Sequence, residues 1–322
     1  MLCPRCGSET PKWAGRCDNC GLALIETKSA VERKGPFRIG DVAAERYDIR
    51  ERVSTGPLYW SYVAFDQEEE RPVSVRVVRQ TILPRTKEHQ IFLRRIEPLL
   101  SLELPGVPQL YSVERDEGKT LVIGEWIDGL SLRSLIDVRR QDDRAFSAGE
   151  TLALLGELAE SLEAVSPASA HGDLRPLHVQ ILEDRLVVEA AGVAAALPAE
   201  ETVRALKSAP EASGYLAPEV LEGHTGQRES DIYSLAIIAS ELFTGRIPPA
   251  LGVGLDEFVG HLPPLVDDVI RRSLSKHIED RDTTPSELVN ALASVLGAEN
   301  WTTTQRTGDS SVAPAPDGTV PF

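Results

Sequence analysis

The stretch His171 to Gly192, HGDLRPLHVQILEDRLVVEAAG, fixes how the rest of the chain is read. Val179 to Leu182 and Leu186 to Val188 are short runs of β-forming residues, and the Asp184-Arg185 pair between them suits a tight turn. A polar loop holding Pro176 precedes the hairpin, and the small residues Ala190, Ala191 and Gly192 follow it. The local order is therefore loop, hairpin, loop, with His171, Asp173, Arg175 and His178 gathered in the first loop.

At that order and spacing the stretch resembles the catalytic loop and metal-binding loop of the protein kinase family, where His-Arg-Asp, a downstream Asn and Asp-Phe-Gly sit on these segments. His171 and Asp173 match the pattern. Gly172 stands where the arginine is expected, Arg175-Pro176 where Lys-Pro usually stands, His178 at the asparagine position, and Ala190-Ala191-Gly192 at the metal loop. In the family, the asparagine and the metal-loop aspartate hold magnesium against the ATP phosphates, so the resemblance implies that both magnesium ligands are gone. A neutral imidazole is a poor ligand for a hard, oxygen-seeking cation, and an alanine methyl is no ligand at all. Asp173 keeps the place of the catalytic base, and Asp173, Arg76 and His178 become vestigial catalytic positions.

Upstream, alternating apolar residues predict strands over Tyr47 to Val53, Leu58 to Phe65 and Val73 to Val78, and again over Leu110 to Val113 and Thr120 to Gly124. They resemble the small lobe of a kinase. Its phosphate-covering loop carries three glycines; here those positions are Ser54, Gly56 and Tyr59, and Pro57 removes an amide donor beside the one glycine left. Val73-Ser74-Val75-Arg76 stands at the Val-Ala-x-Lys motif, so arginine replaces the phosphate-binding lysine. Apolar spacing from Ile91 through Phe92, Ile96, Leu99 and Leu102 predicts a helix, on which Arg95 takes the place of the ion-pairing glutamate. The Lys-Glu pair of an active enzyme thus becomes two arginines, expected to repel. Glu125 to Gly129 resembles the hinge, and Ser61, Ser74 and Gln180 take positions that sandwich the adenine base. The nucleotide site implied by the resemblance, Gly56, Arg76, Glu125 and Ile127, is degraded, and binding of ATP and magnesium is not expected.

The anchors of the large lobe are kept. Leu152, Leu155, Leu158 and Leu162 place one apolar face on a helix from Glu150 to Val165. Gly214-Tyr215-Leu216-Ala217-Pro218-Glu219 matches the family's Gly-Tyr-x-Ala-Pro-Glu, and Ser230 to Leu235 matches the buried helix after it. His171, Glu219, Asp231 and Arg281 are the structural positions, with Arg281 expected to pair with Glu219. The segment between Gly192 and Glu219 corresponds to the activation segment, with Thr202, Ser208 and Ser213 as candidate phosphosites or surface filler.

All four cysteines lie near the N-terminus, as Cys3-Pro-Arg-Cys6-Gly and Cys17-Asp-Asn-Cys20-Gly. Two Cys-x-x-Cys pairs, each followed by glycine, resemble a zinc ribbon that binds one structural ion through Cys3, Cys6, Cys17 and Cys20. Two disulfides are the alternative. So short a segment cannot bury a core, and zinc has to supply its folding energy. Beyond Leu296 the chain is poor in bulky aliphatics and is expected to be a disordered tail, in which Thr302, Thr303, Thr304 and Thr307 are candidate targets of a kinase and of a phosphothreonine-reading module.

The kinase resemblance runs roughly from Tyr47 to Leu296 and implies an α+β, two-lobed protein-kinase-like fold, a β-rich small lobe and a helical large lobe, preceded by the ribbon. The expected boundaries are ribbon 1–24, linker 25–45, small lobe 46–124, hinge 125–131, large lobe 132–297 and tail 298–322. With 322 residues, 42% of them hydrophobic, a large core is accessible, while a net charge of −16 argues against nucleic acid or an anionic membrane as main partner. No apolar run approaches the ~20 residues that span a bilayer, and the N-terminus lacks a signal-peptide layout, so the expectation is a soluble, cytoplasmic protein. The expected function is that of a pseudokinase of bacterial Ser/Thr type, a regulatory or scaffolding module for protein partners. Two alternatives stand beside it: a nucleotide sensor without turnover, and an atypical active Ser/Thr kinase in which His178, Asp184 or Glu189 recruits the metal.

Overall fold

The computed structural model describes residues 35–100, 102–142, 144–250 and 254–297. The predicted ribbon, with its four cysteines, and the predicted tail lie outside the described residues. Six strands form one antiparallel sheet in the order β1-β2-β3-β4-β6-β5: β1 (Val42–Ala43), β2 (Tyr47–Thr55), β3 (Tyr59–Asp66), β4 (Arg71–Val78), β5 (Leu110–Asp116) and β6 (Lys119–Glu125). Helix α1 (Thr86–Ile96) lies between β4 and β5.

Strand β4 sits mid-sheet and is buried without a break from Val73 to Val78. Because successive side chains alternate between faces, Val73, Val75 and Val77 join Tyr47, Ile49 and Tyr62 on the outer side, while Ser74, Arg76 and Val78 face the large lobe. The register pairs Ser61 with Arg76 and Tyr59 with Val78, so the inner face of β3 carries Tyr59 and Ser61 toward the same space. That parity is what aims the candidate site residues at the cleft.

Two expectations are corrected in the small lobe. The linker does not run to residue 45: Phe37 and Ala43 are buried, β1 pairs with Tyr47 and Asp48, and the Phe37 ring meets the Tyr62 ring edge-on at 6.2 Å. The segment is too polar on average to look like core, yet one aromatic after the Gly35-Pro36 break is enough to fasten it. The predicted helix from Ile91 does not continue to Leu102 either. It ends at Ile96 and passes into a single 3₁₀ turn, Glu97–Leu99, because Pro98 has no N–H to carry the α-helical ladder onward.

The large lobe opens with β7 (Leu130–Ser131), which pairs with β8 (Val179–Ile181) and through it with β9 (Leu186–Val188) in a second sheet. Its helices are α2 (Leu132–Gln141), α3 (Ala148–Val165), α4 (Val193–Ala196), α5 (Ala199–Lys207), α6 (Pro210–Ser213), α7 (Pro218–Leu221), α8 (Arg228–Thr244), α9 (Leu255–Val259), α10 (Pro264–Ser273) and α11 (Pro285–Val295). Helix α3 starts in a capping box, with the Ser147 hydroxyl accepting from the Glu150 N–H at 3.2 Å and the Glu150 carboxylate accepting from the Ser147 N–H at 2.8 Å. Helix α8 is buried at every position from Ser230 to Leu242, with its Asp231 carboxylate bonded to the loop backbone and its Glu241 carboxylate to Arg133, Arg140 and Tyr215. One apolar cluster runs without interruption from Leu58, Tyr59, Val78, Phe92 and Leu99 of the small lobe into the large-lobe core around Leu155 and Ile237. No helix among the described residues is long and apolar enough to cross a membrane.

Candidate functional site

The loop between α3 and β8 is held from below. Both Asp231 oxygens, at the start of α8, accept from its backbone: the His171 N–H at 2.7 Å and the Gly172 N–H at 3.0 Å. Burial pushes the Asp231 carboxyl up to about 7 against the pull of those two donors. Within the loop, the Asp173 N–H donates to His171 Nδ1 at 3.2 Å, so His171 carries its proton on Nε2 and donates to the Glu189 carbonyl at 3.0 Å. Burial lowers the His171 ring to about 4, which keeps it neutral.

Asp173 is closed into a pair with Arg175, whose Nη2 donates to Oδ2 at 3.1 Å and whose Nε lies 3.1 Å from Oδ1. Both side chains are buried, and burial raises the Asp173 carboxyl to about 6 although Arg175 opposes it. His178 faces inward. Its Nδ1 donates to the Asp173 carbonyl at 2.7 Å, the Tyr59 hydroxyl stands 3.4 Å from its Nε2, and its ring stacks on that of His171 at 5.8 Å. Burial, with Arg175 beside it, drives its pKa well below the ordinary value, so this ring too is neutral.

From above, the turn at Gly56 folds in. The Gly56 N–H donates to the Tyr59 carbonyl at 3.0 Å, and Arg79 pins the turn by donating to the Gly56 carbonyl at 2.7 Å while lying over the Trp60 ring. Leu58 and Tyr59 are only 1% and 5% exposed in consequence. Burial raises the Tyr59 hydroxyl above its ordinary pKa, with Asp173, Arg76, Arg175 and Glu189 as the charges that bear on it. Arg76 is itself buried: Nη1 donates to Ser74 Oγ at 3.0 Å and Nη2 lies 3.7 Å from Glu189 Oε1. Gln180 Nε2 donates to the other Glu189 oxygen at 3.2 Å. A polar chain thus runs Ser74, Arg76, Glu189, Gln180 from β4 to the β8–β9 hairpin. At the hinge, the Glu125 carboxylate accepts from the Gln109 N–H at 3.2 Å and Ile127 is buried.

A protein kinase domain model matches residues 47–296. The chain belongs to the protein kinase family. Among curated relatives it is 25% identical over 274 residues to the probable serine/threonine-protein kinase PknB of Lactococcus lactis, covering 80% of this chain and 43% of that protein. It is 26% identical over 212 residues to serine/threonine-protein kinase PrkC of Bacillus subtilis, covering 65% of this chain and 32% of that one. The chain spans less than half the length of these curated relatives. Among solved structures, the kinase domain of Mycobacterium tuberculosis PknI superposes with a TM-score of 0.63 at 19% identity, over 81% of this chain and all of that one. That likeness carries the two-lobed kinase fold.

Of the two residues expected from sequence to replace magnesium ligands, His178 has both ring nitrogens engaged and Ala190 is buried. Among the described residues no group of three or more His, Cys, Asp or Glu side chains is placed to hold a metal ion. Asp184 is exposed in the hairpin turn, and Glu189 is directed to Arg76 and Gln180. The expected repulsion of Arg76 and Arg95 is also corrected. Arg95 is exposed and reaches the Leu197 carbonyl at 3.5 Å, whereas Arg76 has found a carboxylate in Glu189. Sequence reasoning gives Glu189 only that metal-recruiting role; the signal that it pairs with Arg76 is an acid immediately before the metal loop, in step with a buried arginine.

The missing arginine at position 172 has a local cause. Gly172 adopts φ +83°, and a Cβ there would lie 2.7 Å from the Ala195 backbone nitrogen, so α4 occupies the ground a side chain would need. Among the activation-segment hydroxyls, Thr202 and Ser213 are buried, and the exposed Ser208 donates to the Ala205 carbonyl at 2.7 Å. Glu219 and Arg281 form a two-pronged buried pair at 2.8 and 2.7 Å, and the Ser230 hydroxyl adds a third bond to Glu219 at 2.6 Å.

Proposed function

We propose that this kinase-family chain is a pseudokinase: a two-lobed module that binds protein partners and does not transfer phosphate. The observation that carries the reading is His178. At the asparagine position of a magnesium site stands a neutral, buried ring whose nitrogens are engaged by the Asp173 carbonyl and the Tyr59 hydroxyl. With Ala190 at the other ligand position, the two groups that would neutralise a triphosphate are absent as chemistry, and phosphoryl transfer rests almost wholly on such neutralisation. Asp173 points the same way, because its carboxylate is committed to Arg175.

The N-terminal cysteines extend the reading to a zinc ribbon through Cys3, Cys6, Cys17 and Cys20, which serves as a docking knob for a protein partner in the cytoplasm. A kinase or a phosphothreonine-reading module that acts on the tail threonines is the partner class the sequence favours. The names of the relatives favour one competing reading, an active Ser/Thr kinase.

Radiolabelled phosphate transfer from ATP, with magnesium and with manganese, tests the proposal. The expected result is no incorporation above that of Asp173→Ala; incorporation lost in Asp173→Ala overturns it. Pull-down with the full chain and with residues 1–24 removed tests the docking role, which predicts loss of the captured partner in the shortened chain.

A further inference from the structure

We propose that Tyr59 is a built-in latch: its ring occupies the space between the glycine-loop turn and the catalytic loop and holds the two lobes shut without any ligand. The inference rests on the pseudokinase reading and adds what fills the cleft. Tyr59 begins β3 on the inward face, opposite Val78. The turn before it is fastened three times, by the Gly56 N–H to the Tyr59 carbonyl, by Arg79 to the Gly56 carbonyl, and by the Arg79 N–H to the Leu58 carbonyl at 2.9 Å. Leu58 and Tyr59 consequently join the apolar cluster that continues into the large lobe. At its far end the Tyr59 hydroxyl lies 3.4 Å from His178 Nε2.

A second tie runs parallel to the first. Arg76 of β4 reaches Glu189, and Glu189 is held by Gln180 of β8. Both ties start on the small-lobe sheet and end on the loop and hairpin that follow α3. Separating the lobes therefore breaks two polar contacts and parts the Tyr59 ring from His178. A ligand or partner shifts such an equilibrium only by preferring one state, and a nucleotide has first to displace the ring.

Glycine is the residue that working kinase loops carry at position 59; Tyr59→Gly removes the ring, at the cost of its buried contacts and of added backbone freedom in the strand. Tyr59→Phe keeps the ring and deletes the hydroxyl. The full chain and both variants are titrated with ADP in a thermal-shift assay without metal, and backbone hydrogen exchange is followed over residues 54–60 and 126–129. The latch predicts no shift for the wild type or Tyr59→Phe, and a rise of about 5 °C for Tyr59→Gly at a hundredfold excess over its Kd. It also predicts faster exchange over both segments in Tyr59→Gly. A wild-type chain that responds to ADP as strongly as Tyr59→Gly overturns the latch, as does a cooperatively melting Tyr59→Gly that neither binds ADP nor exchanges faster. Should Tyr59→Gly fail to fold, Tyr59→Val, which suits a strand and still removes the ring, takes its place with the same outcomes. ADP binding by Tyr59→Gly without phosphate transfer upholds both readings, and a folded Tyr59→Gly that neither binds ADP nor exchanges faster overturns the latch alone. Transfer by the wild type overturns both.

Discussion

Placing a single methyl group on Gly172 tests whether the activation segment is wedged against the catalytic loop. The residue sits at φ +83°, and an alanine Cβ there would lie 2.7 Å from the Ala195 nitrogen and 3.1 Å from both its Cα and its Cβ. A left-handed backbone costs a non-glycine residue roughly 1–2 kcal/mol. Forcing α4 away from the loop adds roughly 1–3 kcal/mol, because a backbone nitrogen yields less readily than the end of a flexible side chain. Gly118 supplies the control: its φ is +84°, yet nothing lies within 4 Å of the Cβ position. Gly172→Ala and Gly118→Ala therefore share the backbone penalty and differ by the contact, roughly 1–3 kcal/mol, or about 2–12 °C in Tm for a domain of this size. Calorimetry on the full chain with each variant reads the difference. If Gly172→Ala melts within a degree of Gly118→Ala, α4 is not packed as described, and the explanation for the lost arginine goes with it. Restoring arginine at 172 is accordingly expected to destabilise the chain at least as much, and to bring no phosphate transfer.

Three further outcomes are expected. Arg281→Ala leaves the Glu219 carboxylate buried without its partner and should cost about 3–5 kcal/mol in urea unfolding; a loss below about 1 kcal/mol would show the pair to be dispensable. His171 should titrate by NMR at about 4 in the folded chain against 6.5 for an ordinary ring, so its contribution to stability is complete above 6.5 and is lost as pH falls from there toward 4. Asp173 and Asp231, raised by burial to about 6 and about 7, act in the opposite sense, their share falling as pH climbs from 3.8 through those values; a His171 ring that titrates above 6 would contradict the closed loop. Metal analysis of the purified chain should find one zinc per molecule, and zinc-free protein with its cysteines joined in two disulfides would rule out the ribbon.

Much of this fold is legible in the sequence. Strands rich in β-branched and aromatic residues, such as β3 and β4, lie within two residues of their expected bounds at each end, and the Ala-Pro-Glu and Ser-Asp-Ile motifs mark the anchors that Arg281 and the loop backbone use. What sequence leaves hidden depends on side chains far apart in the chain. Arg76 reads as a displaced lysine until Glu189, from another lobe, is seen beside it. Tyr59 reads as a lost glycine, although its burial shows a gained ring. Thr202 looks like an available hydroxyl in sequence, yet α5 turns it inward. The end of α1 is obscured for a local reason: the apolar spacing carries on past Pro98, while the imino acid stops the backbone ladder there.

Phe37 has a practical bearing on how this protein is handled. It precedes the stretch that the family model matches, yet it caps Tyr62 on the outer side of the sheet, and Ala43 and Val42 beside it form the outermost strand. A truncated version begun at Tyr47 would strip that cover, leave β2 as a raw border with unpaired amides, and invite self-association. Expression designs that begin at or before Gly35 keep the seal.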